Sequence, residues 1–362
     1  MKLKNIAIAF LGALLFTTCS KKDDEKEYTA EESKAVVRST MDNFYNCLQN
    51  LNDGGFANFF HDLLFKETVR DHQGETQSWG NFLGEKFDKQ NFAEGLTEGD
   101  RFNYHRMKGT YTWNKNTELW EKTANNENVT FIFPATKGAT NNGKLVIDQY
   151  EDTETTYGND KVYLPTAAHL YATIDNTKVF EVTVKNVTFE KKTNFTMPLS
   201  AHISIYTNPF TTTIQWNRQN PENFVFDFAF SSPQGCTTGL HADIKLTTSD
   251  YGNISSLEKA IDKIAFTATQ GELRIVGNID VKSLEEKGND RKLRVEEINT
   301  YAKAVLMKGN SKIADVKYEE ENDKGVIYFI FSDGSREKAE SYVSDFQDRV
   351  TEIFKRFERE NN

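Results

Sequence analysis

The sequence predicts an α+β fold: a large, mostly antiparallel β-sheet, a meander with scope to curve, packed by N-terminal and C-terminal amphipathic helices. Three observations carry this. Through residues 106–250, apolar and polar side chains alternate with period two in short successive runs. On either side of that region the spacing changes to the three-and-four pattern of helix faces. The composition fits as well: 27 Phe and 14 Tyr suit half-buried pleated surfaces, and only 6 Pro interrupt 362 residues.

The first element is a leader. Lys2 and Lys4 precede an apolar run over 6–16, the length of a signal-peptide core and too short to cross a bilayer as a helix. The run ends Phe16-Thr17-Thr18-Cys19, which resembles a bacterial lipobox, with Phe16 where Leu is usual and Thr18 where a smaller residue is usual. Such looser versions resemble those of Bacteroidetes lipoproteins. The resemblance implies removal of residues 1–18 and a lipid on Cys19. Lys22, Asp23 and Asp24 follow, and a lysine before acids at this place resembles the surface-export signal of the same group. Residues 19–28 also read as a charged, disordered tether. Loss of Lys2 and Lys4 takes the net charge from -10 to -12. An acidic surface repels phosphate backbones, so nucleic acid is not an expected partner.

Residues 29–105 read as a helical region. Thr29 followed by Glu32 has the form of a capping box. Val37, Met41, Phe44, Tyr45, Leu48 and Leu51 then fall on one face, until Asn52-Asp53-Gly54-Gly55 stops the helix. Residues 56–65 predict a short second helix. Residues 66–105 are polar and punctuated by glycine.

Residues 106–250 read as the sheet. Tyr111, Trp113, Leu119 and Trp120 predict a hairpin turning over 114–117. Strands are expected over 130–133, 144–150, 169–174 and 179–189, the last two joined through Asp175-Asn176-Thr177-Lys178. Two more, over 201–207 and 211–218, bracket Asn208-Pro209-Phe210. Residues 223–230 place Phe224, Phe226, Phe228 and Phe230 on one face. Leu240, Ala242, Ile244 and Leu246 alternate with polar neighbours.

Residues 251–362 read as an α/β region. Ser255 and Glu258 suggest a second capping box, with Leu257, Ala260, Ile261 and Ile264 as the helix face. A strand is expected over 273–279, a helix over 295–307, and a hairpin from 314–318 to 326–331. After Ser332-Asp333-Gly334-Ser335 a long final helix is expected, with Ala339, Tyr342, Val343, Phe346, Val350, Ile353, Phe354 and Phe357 as its stripe. Residues 28–362 read as one compact unit.

Across the mature chain the pattern resembles a group of uncharacterised Bacteroidetes surface lipoproteins. The residues that carry the likeness are Gly109-Thr110-Tyr111-Thr112-Trp113-Asn114 with Trp120, Phe131-Ile132-Phe133-Pro134, Leu164-Pro165-Thr166, and Phe331-Ser332-Asp333-Gly334-Ser335. The group implies a cell-envelope address in the outer membrane, exposed at the cell surface, and no known activity.

The chemistry-bearing residues are dispersed. His61, His72, His105, His169, His202 and His241 include no close metal pair, although three fall in expected strands. No nucleophile elbow, phosphate loop or dinucleotide fingerprint is present. Glu151, Asp152 and Glu154 read as a solvated acidic face rather than a catalytic pair or calcium patch. Neither Cys47 nor Cys236 has a CxxC partner; one disulfide and two inert thiols are both open. The expectation is therefore a lipid-anchored protein, not an enzyme and without cofactor, that binds a ligand or partner. The alternatives are a carrier of apolar ligands with a cavity in a curved sheet, and a hydrolase with an unrecognised site. The Phe224, Phe226, Phe228 and Phe230 ladder is a core face or a cavity wall. Trp113 and Trp216 are candidate stacking platforms for a glycan or a surface protein. Trp113 is equally a cross-strand partner of Trp120.

Overall fold

The structure is a computed structural model that describes residues 26–70, 74–92, 97–98, 101–157, 160–189, 198–250, 254, 257–289, 291–343 and 346–357. Cys19, Lys22, Asp23, Asp24, His72, Ser255 and Ser256 lie outside the described residues.

The chain opens with α1 (Ala30–Asn52) and α2 (Gly55–Leu64). The capping box forms: the Glu32 N–H donates to Thr29 Oγ1 (3.2 Å), and the Thr29 N–H donates to Glu32 Oε2 (2.9 Å). A small hairpin, β1 (Glu67–Arg70) with β2 (Thr76–Ser78), leads to α3 (Trp79–Lys89). A second, β3 (Thr97–Glu98) with β4 (Arg101–Phe102), leads to α4 (Tyr104–Met107).

Then comes the sheet. Its strands are β5 (Gly109–Asn114), β6 (Leu119–Thr123), β7 (Val129–Phe133), β8 (Gly143–Tyr157), β9 (Asp160–Ile174), β10 (Thr177–Phe189), β11 (Pro198–Thr207), β12 (Phe210–Asn220), β13 (Asn223–Ser231) and β14 (Thr237–Leu246). After α5 (Leu257–Ala260) follow β15 (Ile261–Gln270), β16 (Leu273–Asp280), α6 (Val281–Gly288), α7 (Val295–Tyr301), β17 (Ala302–Lys308), β18 (Ser311–Glu321), β19 (Lys324–Ile330) and β20 (Arg336–Lys338). A 3₁₀ turn (Ala339–Tyr342), α8 (Phe346–Phe354) and a second 3₁₀ turn (Lys355–Phe357) end the described chain.

Sixteen strands form one sheet, in sequence order from β20 down to β7, followed by β5 and β6. The fold is α+β with a large, mostly antiparallel sheet. The β5–β7 pair is parallel, because β6 occupies the far side of β5 and returns the chain for β7 to take the near side. Turn chemistry sets the registers. Asp175 and Asn176 both take positive φ (48° and 62°), as a two-residue hairpin between β9 and β10 requires. Asn322 and Asp323 do the same between β18 and β19 (50° and 63°).

Residues 28–362, read above as a single body, cluster into two compact units: Met1–Leu48 with Thr213–Thr351, and Gln49–Thr212 with Glu352–Asn362. In the first, α1 buries Val37, Met41 and Phe44 in a core shared with Phe266, Ala268, Ile275, Leu306, Val316 and Phe329 of successive strands. Cys47 and Cys236 form a disulfide, with Cα atoms 5.8 Å apart, that ties the end of α1 to the loop before β14.

In the second unit, α3 buries Trp79, Leu83 and Phe87, spaced by four, against Tyr111, Trp113 and Trp120. Trp79 Nε1 donates to the Pro134 carbonyl (2.7 Å) and Trp120 Nε1 to the Leu83 carbonyl (3.0 Å), so both buried indoles are satisfied. The start of α2 lies hard against the Asn208–Pro209 turn. A Cβ on Gly54 would come within 2.3 Å of the Asn208 carbonyl oxygen.

Three expectations in the C-terminal third are corrected. The helix expected from Leu257 through Ile264 stops at Ala260, because Ile261 begins β15. Phe266 and Ala268 are then buried at a spacing of two, and both edges of β15 are paired, with β14 and β16. The helix expected over 295–307 ends at Tyr301; Ala302, Ala304 and Leu306 are buried at alternate positions of β17. The long final helix is instead β20, a 3₁₀ turn and the nine residues of α8. The edge of β19 captures residues 336–338, a pairing that no local pattern announces.

Two substitution sets test this description. Cys47→Ser should lower the melting temperature, because the bridge closes a loop 189 residues long. On the chain-entropy account that is worth up to about 5 kcal/mol; calorimetry with and without reductant measures it, and equal melting of both proteins refutes it. Gly54→Ala should destabilise by about 2 kcal/mol through the clash with Asn208. Gly84→Ala should stabilise by about 0.5–1 kcal/mol, because Gly84 sits in α3 with nothing within 4 Å of its missing Cβ.

Candidate functional site

The second unit carries a cleft of about 420 Å³ whose floor is the β8–β9 pair. Two β-bulges shape that floor. The register passes from Ile147↔Leu170 to Gln149↔His169, leaving Asp148 as the extra residue on β8. It then passes from Glu151↔Ala167 to Asp152↔Pro165, leaving Thr166 as the extra residue on β9. Bulges re-aim side chains and recur beside functional sites.

Beside the second bulge the Asp152 side chain is buried, 1% exposed, and it binds Arg101 of β4. Arg101 Nε lies 3.0 and 3.1 Å from the two carboxylate oxygens, and Nη2 lies 2.7 Å from Oδ1. The Arg101 side chain is 53% exposed and its guanidinium stacks over Tyr163 at 5.3 Å. A planar, charge-assisted pair of this kind has fixed orientation.

The walls are aromatic. Phe102 meets Tyr150 edge-to-face at 4.9 Å. Tyr104 is buried, its hydroxyl 3.2 Å from the Ile147 carbonyl and 3.4 Å from the Glu127 carbonyl. Burial first, and then the charge of Asp148 beside Tyr104 and of Asp152 beside Tyr150, pushes both phenols above their ordinary value. Both therefore stay neutral donors at physiological pH. Asn103 accepts from the Arg106 N–H (3.1 Å) and caps α4, which holds His105 at the exposed rim with Glu151.

Asp148, on the first bulge, turns onto a histidine. His169 Nδ1 lies 2.7 Å from Asp148 Oδ1, and Nε2 lies 3.1 Å from Glu181 Oε1; Lys178 also binds Glu181, at 2.6 Å. Burial alone would lower the imidazolium pKa, but the hydrogen bonds to Glu181 and Asp148 outweigh it and raise the value. His241 in the first unit has a parallel arrangement, Nδ1 at 2.7 Å from Asp227 and Nε2 at 3.4 Å from Asp243. Its pKa is raised, led by the Asp227 hydrogen bond.

A second cleft, of about 320 Å³, lies in the first unit between α1 and the C-terminal elements. Arg349 stacks 3.4 Å over Tyr45 and reaches Asp42 at 3.5 Å; Arg38 reaches Glu337 at 3.2 Å, and Tyr342 donates to Glu337 at 2.5 Å. Each arginine there has a carboxylate partner, so the groups fasten chain segments together.

The sequence-stated candidates fall as follows. Trp113 is 3% exposed and pairs with Trp120 across β5 and β6, ring centroids 5.7 Å apart, so it presents no open face as a platform. Trp216 is half-buried and stacks on Phe224 at 4.9 Å. Phe224 is 1% exposed, while Phe226, Phe228 and Phe230 are half-buried on the face that holds Ala242 and Leu240. Phe226 packs against the core of the first unit, and neither of the two clefts takes a wall from the ladder. His169, His202 and His241 are not brought together as one cluster: His202 pairs in register with Lys185. Among the described residues no group of three or more His, Cys, Asp or Glu is arranged to hold a metal ion. Among them, too, no helix is long and apolar enough to cross a membrane.

Sequence reasoning missed Arg101, Tyr150 and Asp152 as a unit. Asp152 sits in an acidic run that looks solvated, between exposed Glu151 and Glu154. Comparison with family models, with curated proteins and with solved structures finds no match.

The His169 arrangement has a pH signature. A pKa raised on folding gives stability that is full below the unfolded value of about 6.5 and vanishes as pH rises through the folded value. The melting-temperature gap between the natural protein and His169→Gln should therefore be widest below about pH 6.5 and shrink as pH rises above it. A gap independent of pH would show that the ring acts by packing alone.

Proposed function

We propose that this chain is a lipid-anchored lipoprotein of the bacterial outer membrane, displayed at the cell surface, that binds a ligand or partner without transforming it. The binding reading rests on one observation: the cleft over β8 and β9 holds a buried carboxylate and a half-exposed arginine in fixed geometry. A salt bridge with one partner half-exposed adds little to stability, so such a pair in a cleft is better explained by recognition than by stability. Arg101 and Asp152 are bound to each other and Tyr104 to backbone carbonyls, which suits a rigid recognition surface.

The address rests on the leader, the lipobox-like Cys19 and the Lys22, Asp23, Asp24 run. The Cys47–Cys236 disulfide supports it, since such bonds persist in oxidising compartments outside the cytosol. The anchor is the expected membrane contact, and no cofactor enters this reading.

Two measurements test the proposal. Metabolic labelling with a palmitate analogue should mark the protein and fail to mark Cys19→Ala, and protease added to intact cells should degrade it. For binding, residues 20–362 should gain thermal stability from members of a mixed panel of oligosaccharides, peptides, fatty acids and nucleotides. That gain should vanish when Thr166→Trp fills the cleft. A panel with no cleft-dependent member would refute the cleft as the binding site.

A further inference from the structure

We infer that the cleft over β8 and β9 takes a neutral oligosaccharide, an inference that rests on the cleft being the binding site. Charge comes first. Arg101 and Asp152 neutralise each other at bonding distance, and the exposed rim offers Glu151. A strongly anionic ligand would have to compete with Asp152 for Arg101 and approach Glu151. A cation would face the Arg101 guanidinium. The cleft therefore discriminates against both signs.

Shape and polarity come second. Phe102 and Tyr150 form one wall, with their rings locked edge-to-face at 4.9 Å. Sugar rings present a flat patch of C–H bonds on one face and hydroxyls around the edge. The first suits an aromatic wall. The second needs donors and acceptors beside that wall, and the half-exposed Arg101 guanidinium and the Glu151 carboxylate on the rim supply them. Thr166, set on its own bulge, adds a hydroxyl from the opposite strand. A purely apolar ligand would strip water from Arg101 and Thr166 without replacing its hydrogen bonds, at a cost for each.

Preorganisation comes third. The Asp152 side chain is 1% exposed and anchors Arg101, and Asn103 caps the helix that begins with Tyr104. These groups need little reordering when a ligand enters, which is how a shallow cleft holds a well-hydrated molecule.

The test uses residues 20–362 on an array of neutral, uronate-bearing and sulfated oligosaccharides, with hits quantified by calorimetry. At least one neutral oligosaccharide should bind. Tyr150→Ala should weaken that binding at least tenfold, and Thr166→Trp should do the same with its melting temperature unchanged. Because Tyr150 also packs against the unit's core, Thr166→Trp decides if Tyr150→Ala proves unstable. Binding of charged glycans alone, or neutral binding undiminished in Thr166→Trp, would overturn the inference. If only peptides, fatty acids or nucleotides bind, and do so in a Thr166-dependent way, the sugar class fails while the cleft stands. If no probe of any class depends on Thr166, both fail.

Discussion

Every strand edge exposes backbone donors and acceptors that must be satisfied, and in this protein the next strand in sequence nearly always satisfies them. That constraint orders the rest. It explains why the sheet runs almost in chain order, why short turns decide the registers, and why helices appear mainly where the chain leaves the sheet. It also explains the two ends. At one, β20 is only three residues long and carries Arg336 and Lys338. At the other, Gln90 closes the outer edge of β6 by acting as a neighbouring strand: its amide accepts from the Trp120 N–H (2.7 Å) and donates to the Trp120 carbonyl (2.9 Å). Short, charged or plugged edges prevent further strand addition.

The same constraint separates what local sequence reveals from what it hides. The Asp175-Asn176 turn was legible because its residues tolerate positive φ and alternating runs flank it. The Trp113–Trp120 pair was legible because a hairpin's register follows from its loop. The stretch from Ala302 to Lys308 misleads, because its small and apolar residues fit a helix face and a strand face alike; the open edge of β16 decides for the strand. Likewise β20 exists only because β19 offers it a partner.

The candidate site was less legible than the fold, for a related reason. Asp152 belongs to a run of acids whose neighbours Glu151 and Glu154 are exposed. The run alternates, but a one-residue bulge at Thr166 resets the pairing across from it. Arg101 lies fifty-one residues away in a segment without strong periodicity. A pattern read along the chain cannot bring the two together; only pairing of β8 with β9, and the hairpin beside them, can. By contrast the phenylalanine ladder stands out in the sequence, yet Phe224 and Phe226 go chiefly to packing with Trp216 and the core.

The Cys47–Cys236 bridge has one more consequence. It closes a covalent ring from Cys47 to Cys236 that contains Gln49 to Thr212, the longer segment of the second unit. A protease that cuts once anywhere between the two cysteines opens that ring without dividing the molecule. The C-terminal strands stay joined through sulfur to α1, and a nicked copy stays in one piece.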